Sequence, residues 1–341
     1  MSWILIAGYG SMGRRHLRNL KAAGREDVRL LRSGRPPLPG FETPEGAQVY
    51  KSLDRALEDR PDVVIVANPT AMHAGVVRES IRAGAAVVLE KPVCADLAEA
   101  QQLLRDVEDA GGTCSMAYSF RYHPLYRALK ALLAEGRLGR VFHYHARQAS
   151  YLPSWHPWED YRTGYAARRD LGGGVVRTLD HELDMLRWTV GQPHEVFASA
   201  GSLSGIGVDV DDTADMIFRL PENAQAHVHV SFGRRDYGRG VTVVGEEASA
   251  VLDWRQGTLE VRDESGVLDR VSVDQAYDLN EMYTGMLEDA LAGFAGSPSR
   301  EAIPLSDGVA ALAMAEGALA SSRTSRSVSM PIHYDLNYEP H

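Results

Sequence analysis

Short apolar runs alternate with amphipathic stretches through the first third of the chain. Trp3 to Ala7, Val28 to Leu31, Asp62 to Ala67, Ala85 to Leu89 and Cys114 to Tyr118 read as strands. The β-branched run within Asp62 to Ala67 is the kind that lies buried on both faces of a sheet. A short strand is predicted at Ala47 to Tyr50. Helical stretches run between these strands, from Arg14 to Ala23, Ser52 to about Asp59, Ala71 to Ala83 and Leu97 to Ala110. Ser52 and Asp96 suit N-caps, and Gly84 and Gly111-Gly112 suit stops. This alternation predicts an α/β fold with a parallel, doubly wound sheet.

The pattern changes after about residue 121. A helix is predicted at Tyr126 to Glu135, a strand at Val141 to Ala149 and a helix near Val175 to Val190. From about His194 to Asp263 the chain reads as strands separated by turns. The candidates are Thr213 to Leu220, Gln225 to Phe232, Val241 to Gly245, Ala248 to Trp254 and Thr258 to Val261. Successive strands with short turns predict a predominantly antiparallel open sheet. Helices at Asn280 to Phe294 and Ser306 to Ser321 close the pattern. Two domains are therefore expected, 1–120 and 121–341. A chain of 341 residues is long for a single core and suits two.

Composition narrows the function classes. The formal net charge of −10 argues against a nucleic-acid binder, which needs a basic face for phosphates. No apolar run approaches the ~20 residues of a membrane helix. The chain opens on its first strand with no basic, apolar leader before it, so no secretion signal is expected. With only Cys94 and Cys114, a disulfide framework is not expected and a cytoplasmic location is.

The chemistry begins at Gly8-Tyr9-Gly10-Ser11-Met12-Gly13, a G-x-G-x-x-G turn directly after a strand and before a helix. Gly8 permits the tight turn, Gly10 lets backbone approach a pyrophosphate, and Gly13 lets helix and strand pack closely. Ser11 and Met12 open the helix, whose N-terminus offers N–H groups to phosphate. The ribose partner is expected about 20 residues past the glycines. Arg32, Ser33, Gly34 and Arg35 stand there, and none is an Asp or Glu that would take the 2′-hydroxyl of NAD. Arg32, Ser33 and Arg35 suit a 2′-phosphate, so NADP is preferred over NAD. The same arginines would also serve as a solvated loop ahead of Pro36-Pro37.

Glu90-Lys91-Pro92 follows the fifth strand, at the sheet edge where open α/β folds bind ligands. A Lys91 ammonium there can donate to a substrate oxygen, or it can simply pair with Glu90. Farther on, Gly172-Gly173-Gly174 precedes a helix. Its apolar stripe is Leu179, Leu183, Leu186 and Val190, while Arg177, His181, Asp184 and Trp188 share another face. His181 suits a general acid/base for an alcohol proton, with Asp184 one turn away to orient the ring.

Taken together, the glycine turn, Glu90-Lys91-Pro92, the Phe120-Arg121-Tyr122-His123-Pro124 segment and the glycine triplet followed by His181 resemble the glucose–fructose oxidoreductase / inositol dehydrogenase / rhizopine-catabolism family. The resemblance spans essentially the whole chain. It implies a Rossmann domain and a C-terminal α/β domain whose open sheet mediates homodimers or homotetramers. It also implies hydride transfer between a nicotinamide and a carbon of a sugar, cyclitol or sugar derivative. The catalytic pair it implies maps to Lys91 and His181, and it places Asn68-Pro69-Thr70 near the nicotinamide ribose, with His73 and Glu90 counted beside the cofactor. Many members place an Asp four residues before the His. Here that position is Arg177, so Asp180 and Asp184 are the candidates for a third catalytic residue, and Asp184 is favoured on helical geometry.

Arg121, Arg177 and the loop residues Trp155, Trp158, Tyr161 and Arg162 are expected to meet the substrate together with Lys91 and His181. Aromatic faces suit a sugar's C–H face, and arginines suit an anionic group. The same loop could instead be a packed interface. No metal site is expected, because the pairs His143/His145 and His227/His229 lack Cys or carboxylate partners at zinc spacing. Two other functions remain compatible with these residues: a hydrolase or epimerase holding NAD tightly, and a non-catalytic dinucleotide-binding regulator.

Overall fold

The computed structural model describes residues 3–32, 42–274, 276–297 and 302–330, and divides into two compact units. The first unit comprises Met1–Tyr118, Asp170–Gly172 and Tyr283–Val309. Its elements are β1 (Ile4–Ala7), α1 (Ser11–Ala22), β2 (Val28–Leu31), β3 (Val49–Tyr50), α2 (Leu53–Glu58), β4 (Val63–Val66), α3 (His73–Arg82), β5 (Ala86–Leu89), α4 (Leu97–Asp109) and β6 (Cys114–Met116). The six strands lie in the order β3-β2-β1-β4-β5-β6, every pair parallel. β1, β4 and β5 are apolar along their lengths because helices cover both faces, and Leu5, Ile65 and Val88 are fully buried. Strand order reverses between β1 and β4, which is where a doubly wound sheet opens a crevice at its C-terminal edge.

The first unit's main stretch ends close to the boundary expected at residue 120. The first unit also takes in Asp170–Gly172 and Tyr283–Val309. The reason is local pairing at β6. The Met116 amide donates to Ile303 O at 2.8 Å, and Ser115 bridges to Pro304. Backbone groups at a sheet edge need partners, and a distant extended segment supplies them here.

The second unit comprises Ser119–Arg169, Gly173–Met282 and Ala310–His341. It carries α5 (Pro124–Ala134), β7 (Val141–Tyr151), α6 (Val175–Thr178), α7 (His181–Val190), β8 (Glu195–Gly201), β9 (Thr213–Leu220), β10 (Ala224–Ser231), β11 (Gly233–Gly245), β12 (Ser249–Asp253), β13 (Thr258–Asp263) and β14 (Gly266–Ser272). Two of the unit boundaries fall within α8 (Asn280–Phe294) and α9 (Leu305–Thr324), and β15 (Val328–Ser329) is the last strand among the described residues. Nine strands form one sheet in the order β14-β13-β12-β11-β7-β10-β9-β8-β15. The sheet is mixed, since β7 and β10 run parallel while the other pairs are antiparallel.

Alternation decides which face of this sheet is buried. In β9, Ala214, Met216, Phe218 and Leu220 point into the core, and Asp215, Ile217 and Arg219 point out. The inward residues pack with Leu183, Met185 and Leu186 of α7 and with Met314 and Ala318 of α9. The outer face keeps Phe197 and Ile217 nearly half exposed, and Asp215 Oδ1 accepts from both His227 and His229.

Two sequence expectations change here. The helix predicted over Val175 to Val190 is broken at Leu179-Asp180, so α6 and α7 are separate and His181 opens the second. β11 begins at Gly233 rather than near Val241, because its first half, Arg234-Arg235-Asp236-Tyr237, is polar and hides the strand pattern.

One inward position of β11 is charged. Arg239 is almost fully buried, and its Nη2 pairs with Glu182 Oε1 at 2.5 Å, both side chains being shut off from solvent. The guanidinium lies 3.5 Å from the Phe120 ring centroid and 5.2 Å from that of Trp254, and its Nε donates to the Tyr126 hydroxyl at 3.1 Å. Burial pushes the Glu182 carboxyl above its ordinary value, and Arg239 pulls it back. Removing one partner leaves an uncompensated buried charge. Arg239→Met is therefore expected to cost about 3–5 kcal/mol of stability in chemical denaturation, and Glu182→Leu added to it should recover most of that loss.

Candidate active site

The first part of the site is the turn between β1 and α1. Gly8 adopts φ +104°, and its amide donates to Leu31 O at 3.1 Å. A Cβ on Gly8 would come within 2.5 Å of the Asn68 amide nitrogen, and one on Gly13 within 2.0 Å of Gly8 O. Neither position tolerates a side chain. Gly10 differs, because a Cβ there would meet none of the described residues within 4 Å. It caps α1 without a side-chain hydrogen bond, and no acidic residue occupies the first turn. Ser11 and Met12 thus begin a helix whose N-terminus faces open space across a glycine. The arrangement fits a dinucleotide pyrophosphate.

At the end of β2, Arg32 lies beside this turn. Its guanidinium stands 5.3 Å from the Tyr9 ring centroid and donates to Thr43 Oγ1. Ser33 and Arg35 lie outside the described residues.

The loops after β4 and β5 occupy the same edge of the sheet. Asn68 Oδ1 is buried with no hydrogen-bond partner, Pro69 is exposed and Thr70 is buried. An orphan acceptor at this edge fits a hydroxyl of a bound ribose. Lys91 is half-buried and joined to Pro92 by a cis peptide. Glu90 is taken up by α1, its Oε1 lying 2.8 Å from the fully buried His16 Nε2.

His73, expected beside the cofactor, is held by backbone carbonyls. It is 1% exposed, with Nδ1 2.9 Å from Pro92 O and Nε2 3.0 Å from Asn68 O. Both ring nitrogens face backbone carbonyls, so the side chain ties the two loops together and offers no nitrogen to a ligand. Two carbonyl partners favour an imidazolium, yet burial pushes the His73 pKa down; the ring is too deeply desolvated for the carbonyls to win.

In the second unit, His181 is buried at the start of α7, and its ring meets Phe120 edge to face with centroids 4.6 Å apart. The Arg239 guanidinium lies over the same Phe120 ring. Asp184, expected to orient His181, has both carboxylate oxygens engaged by Arg121, the Nε contact being 2.9 Å. Both members of that ion pair are buried, so the Arg121 guanidinium is committed to α7. Arg177 belongs to α6, not to the His181 face, and pairs with Glu316 at 2.6 Å.

The aromatic loop is likewise internally satisfied. Trp155 Nε1 donates to Ser150 Oγ at 3.0 Å, and the Tyr161 hydroxyl to Ile206 O at 2.6 Å. Trp158 stacks on His156 and stays about half exposed, while Arg162 is held by Asp160. Trp155 alone of these four lines a cleft of about 420 Å³, shared with Gln148, Arg235 and Tyr237. Sequence reasoning missed those three and also Arg239. Inward parity with Tyr144 and Ala146 could have flagged Gln148. Nothing in the polar opening of β11 marks its side chains.

Comparison with known proteins bears on both units. Residues 3–118 match the model of an oxidoreductase family with an NAD-binding Rossmann fold, and residues 126–251 match the GFO/IDH/MocA C-terminal domain. The chain belongs to the GFO/IDH/MocA oxidoreductase family. It is 27% identical over 340 residues to inositol 2-dehydrogenase of Rhizobium meliloti (strain 1021), covering 95% of this chain and 98% of that protein. It is 26% identical over 322 residues to 1,5-anhydro-D-fructose reductase of Ensifer adhaerens, covering 91% and 93%. A levoglucosan dehydrogenase structure in complex with NADH superposes with a TM-score of 0.84 at 18% identity, covering 96% and 98%, and shares the fold.

Within this oxidoreductase Gly13 and Gly10 separate by experiment. Gly13→Ala should destabilise the fold, because its Cβ would collide with Gly8 O. Gly10→Val should leave thermal unfolding nearly unchanged while weakening dinucleotide binding in a fluorescence titration by tenfold or more, on the order of one displaced phosphate contact.

Proposed function

We propose that this chain is an NAD(P)-dependent dehydrogenase or reductase acting on an alcohol carbon of a sugar, cyclitol or sugar derivative. The observation that carries the proposal is the open Gly10 turn at the N-terminus of α1, sharing one sheet edge with Lys91. The activities named for the full-length relatives, inositol dehydrogenation and anhydrofructose reduction, support the substrate class.

Gly8, Gly10, Ser11, Met12 and Gly13 would hold the pyrophosphate, and Asn68, Pro69 and Thr70 the ribose. Glu90 serves indirectly, by anchoring the Lys91 turn to α1 through His16. Bound there, the nicotinamide supplies hydride-transfer chemistry. Lys91 donates a hydrogen bond to the reacting oxygen, stabilising the charge that develops on it. His181 takes the hydroxyl proton in oxidation and returns it in reduction. Phe120, pressed against the ring edge to face, fixes the imidazole's orientation. The exposed outer sheet face, with Phe197 and Ile217, would carry a homodimer or homotetramer contact.

NADP is the preferred coenzyme. Arg32 stands against the glycine turn and presents a guanidinium suited to a 2′-phosphate. Arg32→Ala should raise Kd for NADP by about 10- to 100-fold, the worth of a charge-assisted hydrogen bond, and leave Kd for NAD within about twofold. Equal weakening of both coenzymes would remove the 2′-phosphate assignment.

Lys91→Ala should lower kcat by about 10²- to 10⁴-fold with dinucleotide affinity little changed. The measurement is nicotinamide absorbance over a panel of sugars and cyclitols, alongside coenzyme titration. Undiminished turnover in the variant would refute the assigned role.

A further inference from the structure

The cleft of about 420 Å³ lies wholly within the second unit, between the β7 end, the loop that follows it and the polar opening of β11. Its lining is chemically one-sided. Gln148 is 8% exposed, and its Oε1 is buried without a hydrogen-bond partner. Arg235 has no carboxylate partner among the described residues, and its guanidinium rests 4.3 Å from the Tyr151 ring centroid. The neighbouring Asp236 is already held by Arg234, at 2.7 and 3.0 Å. Among the described residues no Asp or Glu lines the cleft, although Asp and Glu outnumber Lys and Arg by 46 to 36 over the chain. Tyr151, Trp155 and Tyr237 supply aromatic surface.

These features define a ligand. An orphan buried acceptor asks for an O–H donor, aromatic walls ask for a C–H face, and an unpaired guanidinium asks for an anion. A neutral polyol answers the first two only. Arg162, the more obvious anion partner in sequence, is already neutralised by Asp160. We infer that the cleft takes a carboxylated sugar, of the uronic or aldonic acid class. Arg235 holds the carboxylate, and Gln148 Oε1 accepts from a ring or chain hydroxyl.

The inference rests on the sugar-dehydrogenase reading for the fate of the ligand, not for its binding. The test therefore measures the two separately. The full chain with NADP or NAD is titrated with D-glucuronate, D-galacturonate and D-gluconate, and with D-glucose, D-galactose and D-glucitol. Tryptophan fluorescence reports binding, and nicotinamide absorbance reports turnover. At least one acid should bind about tenfold or more tightly than its neutral counterpart, against the protein's net negative charge. Arg235→Gln should abolish that difference, Arg235→Lys should retain part of it, and Gln148→Leu should weaken acid and neutral sugar alike. If no acid in the panel outbinds its neutral counterpart, or if Arg235→Gln keeps the difference, the inference is overturned. Preferential acid binding without nicotinamide reduction by any sugar keeps the inference and overturns the dehydrogenase proposal. Reduction by neutral sugars with no acid preference does the reverse.

Discussion

The first unit depends on one steric fact. The C-terminal ends of β1 and β4 and the start of α1 crowd together so tightly that Gly8 and Gly13 have no room for a methyl group. That crowding puts the uncapped end of α1 at the strand-order reversal, where the sheet edge is open. A looser turn would set the helix back, and its amide groups would no longer face the same space as the loops after β4 and β5. The close approach of α1 to the sheet edge thus follows from the absence of two Cβ atoms.

The second unit is organised around a charge rather than a void. Arg239 and Glu182 bury opposite charges in a core otherwise built of Val, Leu, Met and aromatic residues. Buried pairs of this kind add little net stability, yet they are costly to break singly. Their position is informative: Glu182 follows His181 directly, and Arg239 lies against the ring that touches His181. The histidine is seated on an aromatic and ionic scaffold whose members come from the turn before α5, α5, α7, β11 and the turn after β12.

How much of this the sequence disclosed depended on whether the signal was local. The parallel sheet was legible because each strand is a short apolar run and the helices between them carry local signals, as at Asp96, whose carboxylate accepts from the Glu99 amide. The glycine turn was legible for the same reason. Long-range choices were not. Asp184 sits one turn from His181 on a helical wheel, but its partner Arg121 comes from 63 residues away. The break at Leu179-Asp180 took Arg177 off the expected face, and no proline or glycine announced it. His73 reads as a helix-start residue open to ligand, and only the fold brings the Pro92 carbonyl onto its ring. The cleft lining was hidden because half of β11 carries the polar pattern of a loop.

The His73 ring has a consequence for the loops it joins. A neutral imidazole carries a single N–H, yet its two nitrogens each meet a carbonyl, one from either loop. Only one of those carbonyls can be bonded at a time, while the other confronts a lone pair. The two tautomers are therefore two different tethers, one fastening the lysine-bearing loop and the other fastening the asparagine loop, and a single proton decides which of them is tied.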